Sequence, residues 1–374
     1  MEELKEYMSN SIRRIMGRAY SNMLSAPREA HFAFRMKRLF EHSEKCRQAV
    51  AEKAGVEVPP FLISSVSTTC NLDCKGCYAR KNGIASKSGK QARKTLTPAQ
   101  WRSIFEEAAT LGVNFSLIAG GEPLMRRDLL ESIAEVKEMI FPVFTNGTLM
   151  KEEMLSFFDK NLNMVPVISI EGQKTETDER RGSGVYANAT KAMKSLSTHG
   201  LFFGTSITVT TENLEYVTSR EFLDQLHKMG CKLVFYVEYV PIEEKTEHLA
   251  LKDEHVERME RILEKRRSEY ERIIFLSFPG DEKALGGCLA SGRGFFHIGP
   301  DGSAEPCPFS PYSDSNVAQQ GLLASLKSPL FKALRDMRDS GWSHTGGCTL
   351  YEHREEVENI IKQQKRDENS NQIS

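Results

Sequence analysis

Six short apolar runs, each followed by an amphipathic stretch, constrain this chain more than any other feature. The runs are FLISSVS (61–67), NFSLIAG (114–120), FPVFT (141–145), MVPVISI (164–170), FFGTSITVT (202–210) and KLVFYVEYV (232–240). Between them, apolar residues recur at helical spacing near 97–111, 127–139, 151–160, 187–199 and 214–228. Thr97 and Pro98 make a helix start, with a hydroxyl to cap and a proline at the first helical position. Gly112, Gly200 and Gly230 stand where helices stop. Strands that are apolar throughout are buried on both faces, as in a parallel sheet covered by helices. The pattern predicts an α/β chain whose centre, 59–250, is a partial (β/α)6 barrel of the TIM type. In such a barrel, functional groups belong at the C-terminal ends of the strands.

The flanks read differently. Residues 1–58 are predicted to be a helical N-terminal extension. Ile12, Ile15, Met16, Ala19, Tyr20 and Met23 recur at helical spacing beside Arg13, Arg14 and Arg18. A second stripe runs through Phe32, Phe34, Met36, Leu39 and Phe40 before Pro59 and Pro60 break it. Such a helix packs on the barrel, and its flanking arginines leave open contact with a membrane surface or lipid. A highly charged helix near 252–271 makes 251–285 a connector. Residues 286–353 are rich in Gly, Pro and Ser, with a hairpin signal in FFHI (295–298), GPDGS (299–303) and AEPC (304–307). They predict a small C-terminal α+β domain with little core of its own, held by metal. Residues 354–374 form a polar tail.

A net charge of -1 over 374 residues gives no domain-wide basic excess, so nucleic acid is not an expected partner. No apolar run of about 18 residues offers a membrane span, and the acidic start MEELKEYMSN is not a secretory signal. The expected location is cytoplasmic, where clustered cysteines bind metal or do chemistry rather than pair. The eight cysteines are clustered. Cys70, Cys74 and Cys77 lie close together, Cys288, Cys307 and Cys348 share the C-terminal quarter, and Cys46 and Cys231 read as small buried residues.

The loop Cys70-Asn71-Leu72-Asp73-Cys74-Lys75-Gly76-Cys77-Tyr78 follows the first strand. Thiolates are soft ligands suited to iron–sulfur clusters, and three in one loop cover three corners of a cubane and leave one iron open. With Ala119-Gly120-Gly121-Glu122-Pro123 closing the second strand, the loop resembles the CxxxCxxC and GGE-type signature of the radical S-adenosylmethionine (SAM) superfamily, over roughly 61–240. The resemblance implies that Cys70, Cys74 and Cys77 hold a catalytic [4Fe–4S] cluster whose open iron chelates SAM. It further implies that reduced flavodoxin or ferredoxin delivers the electron that splits SAM to methionine and a 5′-deoxyadenosyl radical.

A set of SAM contacts comes with the resemblance. Tyr78 would lie beside the adenine, and Gly120 and Gly121 would let backbone approach the amino group. Glu122 would touch SAM or orient that loop. Asn146, in Thr145-Asn146-Gly147-Thr148, would contact SAM or form a simple Asn-Gly turn. Ser169 belongs to Ser169-Ile170-Glu171-Gly172, where Glu171 stands in place of the commoner Asp. In Asp178-Glu179-Arg180-Arg181-Gly182, Arg181, with Arg180 as the alternative, would pair with the SAM carboxylate.

The second cysteine set, with Pro300-Asp301-Gly302 ahead of Pro306-Cys307, resembles the auxiliary-cluster extension called SPASM or its shorter form, Twitch. It implies a second, auxiliary [4Fe–4S] cluster on Cys288, Cys307 and Cys348, with the fourth ligand open among substrate, His344, His353 or a small exogenous molecule. Residues 80–94 carry Arg80, Lys81, Lys87, Lys90, Arg93 and Lys94 and no acid. They read as a solvated loop, or as a clamp over an anionic substrate or acidic electron donor.

These features together predict an enzyme abstracting hydrogen from a small-molecule substrate of cofactor or haem-pathway type. The alternatives are a lipid-modifying or methyl-transferring enzyme, a peptide maturase, and a non-catalytic iron–sulfur electron carrier. The helical N-terminus, without the strand pair of a winged helix, speaks against the maturase.

Overall fold

A computed structural model describes residues 27–89, 93–241, 244–278, 287–339 and 348–371. The six anticipated strands are β1 (Phe61–Ser67), β2 (Phe115–Gly120), β3 (Phe141–Thr145), β4 (Met164–Ser169), β5 (Gly204–Val209) and β6 (Leu233–Glu238). Each pairs in parallel with the next. A seventh parallel strand, β7 (Ile274–Phe278), joins β6 from the segment read as a connector. β8 (His297–Ile298) and β9 (Ala304–Glu305) form the hairpin, and β8 lies parallel to β1. The order across the sheet is β7-β6-β5-β4-β3-β2-β1-β8-β9.

Local chemistry accounts for the helices between them. Thr97 accepts from the Gln100 N–H, and the Gln100 side chain accepts from the Thr97 N–H, so a capping box starts helix Pro98–Thr110. The helical pattern at 214–228 is two helices, Leu214–Val217 and Arg220–Lys228, because Ser219 is extended and caps the second by accepting from the Phe222 N–H. Helix Lys174–Arg181 has almost no apolar residues and left no periodic trace in the sequence.

The sheet curls. The Phe144 ring on β3 and the Phe235 ring on β6 have centroids 5.2 Å apart, whereas three strand spacings in a flat sheet would separate them by roughly 14 Å. Phe295 wedges the open side, packing against Phe278 of β7 at 5.2 Å and Phe61 of β1 at 5.3 Å. Helix Pro27–Ala54 covers the N-terminal mouth. Its Met36 and Phe40 bury with Ile140 and Val165, beside Phe115 and Phe202, at the starts of β2 to β5. Arg47 fastens it by donating to the Gly112 carbonyl and the Asn114 side chain, both at 2.6 Å. The stripe Ile12 to Met23 lies outside the described residues. No helix among the described residues is long and apolar enough to cross a membrane.

The C-terminal segment shares the barrel's core instead of building its own. Phe295, Phe296, Ile298, Leu330 and Phe331 belong to the same buried cluster as Leu62, Trp101 and Phe105.

Candidate active site

Strand β1 runs into the first cysteine loop at the C-terminal mouth. The backbone fixes that loop on three sides. The Cys70 N–H donates to the Ser86 carbonyl at 3.3 Å, the Glu122 N–H to the Thr69 carbonyl at 2.8 Å, and the Lys75 N–H to the Arg180 carbonyl at 2.8 Å. Cys70, Cys74 and Cys77 are half-buried, and Cys74 and Cys77 lie close enough to Cys70 to affect its ionisation. Burial pushes the Cys70 thiol up to about 11 and raises Cys74, which the Arg181 and Arg180 charges partly offset. Thiolates in this loop thus need a cation among them, as a cluster provides. The described side chains form no three-ligand group of the dimensions that hold a single ion. A cubane spreads its thiolates wider than one ion does, so the loop remains suited to it.

The glycines of the GGE segment serve the cluster loop first. A Cβ on Gly120 would meet the Ser67 carbonyl, and one on Gly121 would strike the Thr69 carbonyl. The Gly121 N–H donates to the Ser67 carbonyl at 2.7 Å. The close approach needed here is between β2 and the segment entering Cys70.

Glu122 is buried and ties β2 to β3. Its carboxylate accepts from the Thr145 hydroxyl at 2.6 Å, the Asn146 N–H at 2.9 Å and the Leu124 N–H at 3.0 Å. Burial raises its pKa, and these three donors oppose the rise. Asn146 donates to the Asn71 side chain at 2.9 Å and accepts from the Thr148 hydroxyl at 2.6 Å, while Asn71 donates back to Thr148 at 2.8 Å. This ring of amides fastens the cysteine loop to the end of β3. Asn71 was not anticipated, and only its partner's position across 75 residues gives it away.

Beyond β4, Ser169 meets Ser206 of β5 at 3.1 Å. Glu171 is buried beneath two arginines. It pairs with Arg180, and Arg181 donates to it through Nε at 2.7 Å, with Nη2 at 2.6 Å. The other carboxylate oxygen accepts from the Thr208 N–H at 3.0 Å. Burial disfavours the Arg181 charge, but Glu171 and the neighbouring Cys74 outweigh it and raise the pKa. Asp178 accepts from the Tyr186 and Gly184 N–H groups and shapes the turn after the arginines.

The Tyr78 ring faces the C-terminal segment. It packs edge-on against Phe309 at 5.2 Å, and Asn82 donates to the Pro308 carbonyl at 2.9 Å. There the second cysteines gather. Cys307 is buried, and Cys307 and Cys348 are in hydrogen-bonding reach with Cys288 nearby. Burial pushes Cys307 well up, while the bond from Cys307 holds Cys348 below its ordinary value. The Leu350 and Tyr351 N–H groups at the start of helix Thr349–Glu352 also favour the Cys348 thiolate. Of the proposed fourth ligands, His353, in the turn between helices Thr349–Glu352 and Arg354–Asn371, meets Glu356 of the second at 3.3 Å, and His344 lies outside the described residues.

The basic loop is less free than its composition implied. Arg80 pairs with Asp73, and Arg93 pairs with buried Glu305 and donates to Ser303 at 3.2 Å. Lys81, Lys87 and Lys94 are exposed, and Lys90 lies outside the described residues. Cys231 is buried as expected, but Cys46 is only half-buried, 3.6 Å from His42.

Inward-facing strand positions were not anticipated as site residues. Burial alternates along β2, β6 and β7, and the half-exposed positions include Leu117, Phe235, Val237, Leu276 and Phe278. With Phe144 they line the barrel interior.

Residues 64–223 match the radical SAM superfamily. The chain is 29% identical over 159 residues to Fe-coproporphyrin III synthase of Methanosarcina barkeri, covering 41% of this chain and 38% of that protein. It is 26% identical over 319 residues to mycofactocin maturase MftC of Mycobacterium ulcerans, covering 80% and 82%. AdoMet-dependent heme synthase of M. barkeri is 25% identical over 327 residues, covering 80% and 90%. In fold, the chain resembles Streptococcus suis SuiB bound to S-adenosylmethionine, with a TM-score of 0.63 and 19% identity over 78% of this chain and 71% of that one. The partial barrel is common to both. Residues 64–223 are a radical SAM domain, and the chain is an enzyme that works with a [4Fe–4S] cluster and SAM.

Proposed function

We propose that the enzyme abstracts hydrogen from a small, largely apolar substrate bearing carboxylates, of tetrapyrrole type. Cys70, Cys74 and Cys77 hold the SAM cluster in this reading, and Cys288, Cys307 and Cys348 hold the second. The barrel interior carries the proposal. Its half-buried positions are Leu117, Phe144, Phe235, Val237, Leu276 and Phe278, while Lys81, Lys87 and Lys94 lie exposed on the loop beyond Cys77. An apolar wall with cations outside it suits an apolar ring with acidic substituents. The two Methanosarcina relatives named for coproporphyrin and heme support the same class.

When bound, the first cluster supplies the electron that cleaves SAM to methionine and a 5′-deoxyadenosyl radical. The chain's own part is placement. Glu122, Asn71 and Asn146 hold the cysteine loop against β2 and β3. Arg181, engaged with Glu171 through Nε and Nη2, keeps Nη1 for the SAM carboxylate. The apolar interior excludes water from the reacting C–H bond. Reduced flavodoxin or ferredoxin is the electron donor this reading takes.

Anaerobically reconstituted enzyme given SAM, dithionite and Fe-coproporphyrin III tests the proposal. The expected result is a shifted Soret band, 5′-deoxyadenosine above the level formed without tetrapyrrole, and a mass change in the tetrapyrrole. Absence of both binding and stimulated cleavage would sink it. A peptide substrate is the second reading, favoured by the maturase match over 80% of the chain. A short peptide encoded beside the gene that stimulates cleavage, where the tetrapyrrole does not, would establish it.

A further inference from the structure

We propose that His297 is a positioning residue that sets the register of the C-terminal hairpin on β1 and so places Cys307 for the second cluster. The inference rests on the reading of Cys288, Cys307 and Cys348 as that cluster's ligands.

His297 lies on β8 in register with Ile63 of β1 and Glu305 of β9. Both of its ring nitrogens are engaged, Nε2 with the Ser65 hydroxyl at 2.8 Å and Nδ1 with the Glu305 carboxylate at 2.7 Å. Ser65, His297 and Glu305 are each 0% exposed. The far oxygen of Glu305 accepts from the Ser303 hydroxyl at 2.9 Å and pairs with Arg93. A buried imidazole and carboxylate lose their hydration, and only a full set of partners offsets that loss. Breaking one link leaves a buried polar group unmatched.

The chain of bonds joins two places that matter. β1 leads straight into the Cys70 loop, and Glu305 is followed by Pro306 and Cys307. Ser65 and His297 are 232 residues apart, so no local preference brings them together. β8 itself is two residues long and offers few ladder bonds to choose a register. A slip of one residue would turn His297 to the other face of the sheet, away from Ser65. The buried polar chain thus supplies the selection that the short strand lacks. Tyr78 against Phe309 and Asn82 on the Pro308 carbonyl then brace the same turn from the first cluster's side.

The test follows iron release to 2,2′-bipyridyl from reconstituted full-length protein. A Cys70→Ala/Cys74→Ala/Cys77→Ala protein identifies the second centre's share. His297→Phe keeps the volume and breaks both bonds, and it is expected to release second-centre iron about 10-fold faster than the parent. Iron on the first triplet should stay near the parent's, while the iron-free protein, with buried Glu305 left unmatched, should melt lower. His297→Asn, whose amide can still donate toward Glu305, should recover part of the retention. If His297→Phe does not fold, Ser65→Ala carries the test and is expected to give a smaller acceleration. Parent-like release in the foldable variant, or equal loss from both centres, would overturn the proposal. If the triple-alanine protein takes up no iron, the second cluster itself is wrong, and this inference falls with it.

Discussion

The Phe144 and Phe235 rings meet across the barrel interior at 5.2 Å, tilted 57° to one another. Aromatic pairs of this geometry contribute about 0.5–1.5 kcal/mol beyond their burial. A double-mutant cycle on Phe144→Leu and Phe235→Leu, read by urea unfolding, is expected to return a coupling of about that size. No coupling would mean that the rings do not touch in solution and that the sheet is flatter than described.

Glu122 holds the ends of β2 and β3 together through Leu124, Thr145 and Asn146, beside the loop that faces SAM in the proposed function. Glu122→Ala removes the acceptor of three donors, and the fold is expected to lose about 1–3 kcal/mol. SAM affinity should fall in equilibrium dialysis while iron on the first triplet is retained. Loss of iron with unchanged SAM affinity would assign Glu122 to the cluster instead.

Iron counting separates the two cysteine sets. The reconstituted parent should hold about eight iron atoms, and replacing either triplet by alanine should leave about four. Only the 70/74/77 replacement should abolish 5′-deoxyadenosine under dithionite. A parent holding about four would reduce the second set to a structural role.

Acid should weaken one surface link in a defined window. Hydrogen bonds from Arg220 and Arg266 hold the Glu269 carboxyl down at about 2, from an ordinary 4.5. A depressed carboxyl stabilises the fold above its unfolded value and loses that effect as pH falls toward the folded value. The stability gap between iron-free parent and Glu269→Gln should therefore be present at about pH 7 and shrink between 4.5 and about 2. A gap that stays constant would show that the two arginines do not act on the charge.

Helix Pro27–Ala54 is accounted for by the barrel. Phe40→Ala is expected to cost about 3 kcal/mol, near the lower end for a buried Phe, because the ring packs on Phe115 at 5.0 Å. Liposome flotation of the parent should give no binding through this stripe. Binding that Phe40→Ala abolishes would restore the lipid-facing reading.

Strands β1 to β6 were legible because each is a compact apolar run between helix signals, and the Cys70 loop because its spacing is local. β7 was hidden behind the charged helix Asp253–Glu269, whose composition suggested a departure from the barrel. The hairpin's turn was legible in Pro300-Asp301-Gly302, but its seat beside β1 depends on pairing across the whole chain. Tyr78 was assigned toward the adenine by its place after Cys77, and the contact of its ring with Phe309 is one that no local pattern encodes. Asn71 and Ser206 were missed for the same reason, since each gains its role from a partner on another strand.

Because Phe295 and β8 complete the wall beside β1, the sheet's first strand must wait for a segment made more than 200 residues later. While the ribosome is still adding residues beyond β7, β1 presents one unpaired edge, a template for wrong partners. The first cysteine loop emerges long before the hairpin that shelters it. Delivery of iron and sulfide to that loop during synthesis would expose a half-built, oxygen-accessible cluster. The topology therefore favours cluster insertion once the hairpin has emerged and seated, and it makes loss of that hairpin a lesion of the barrel rather than of an appendage.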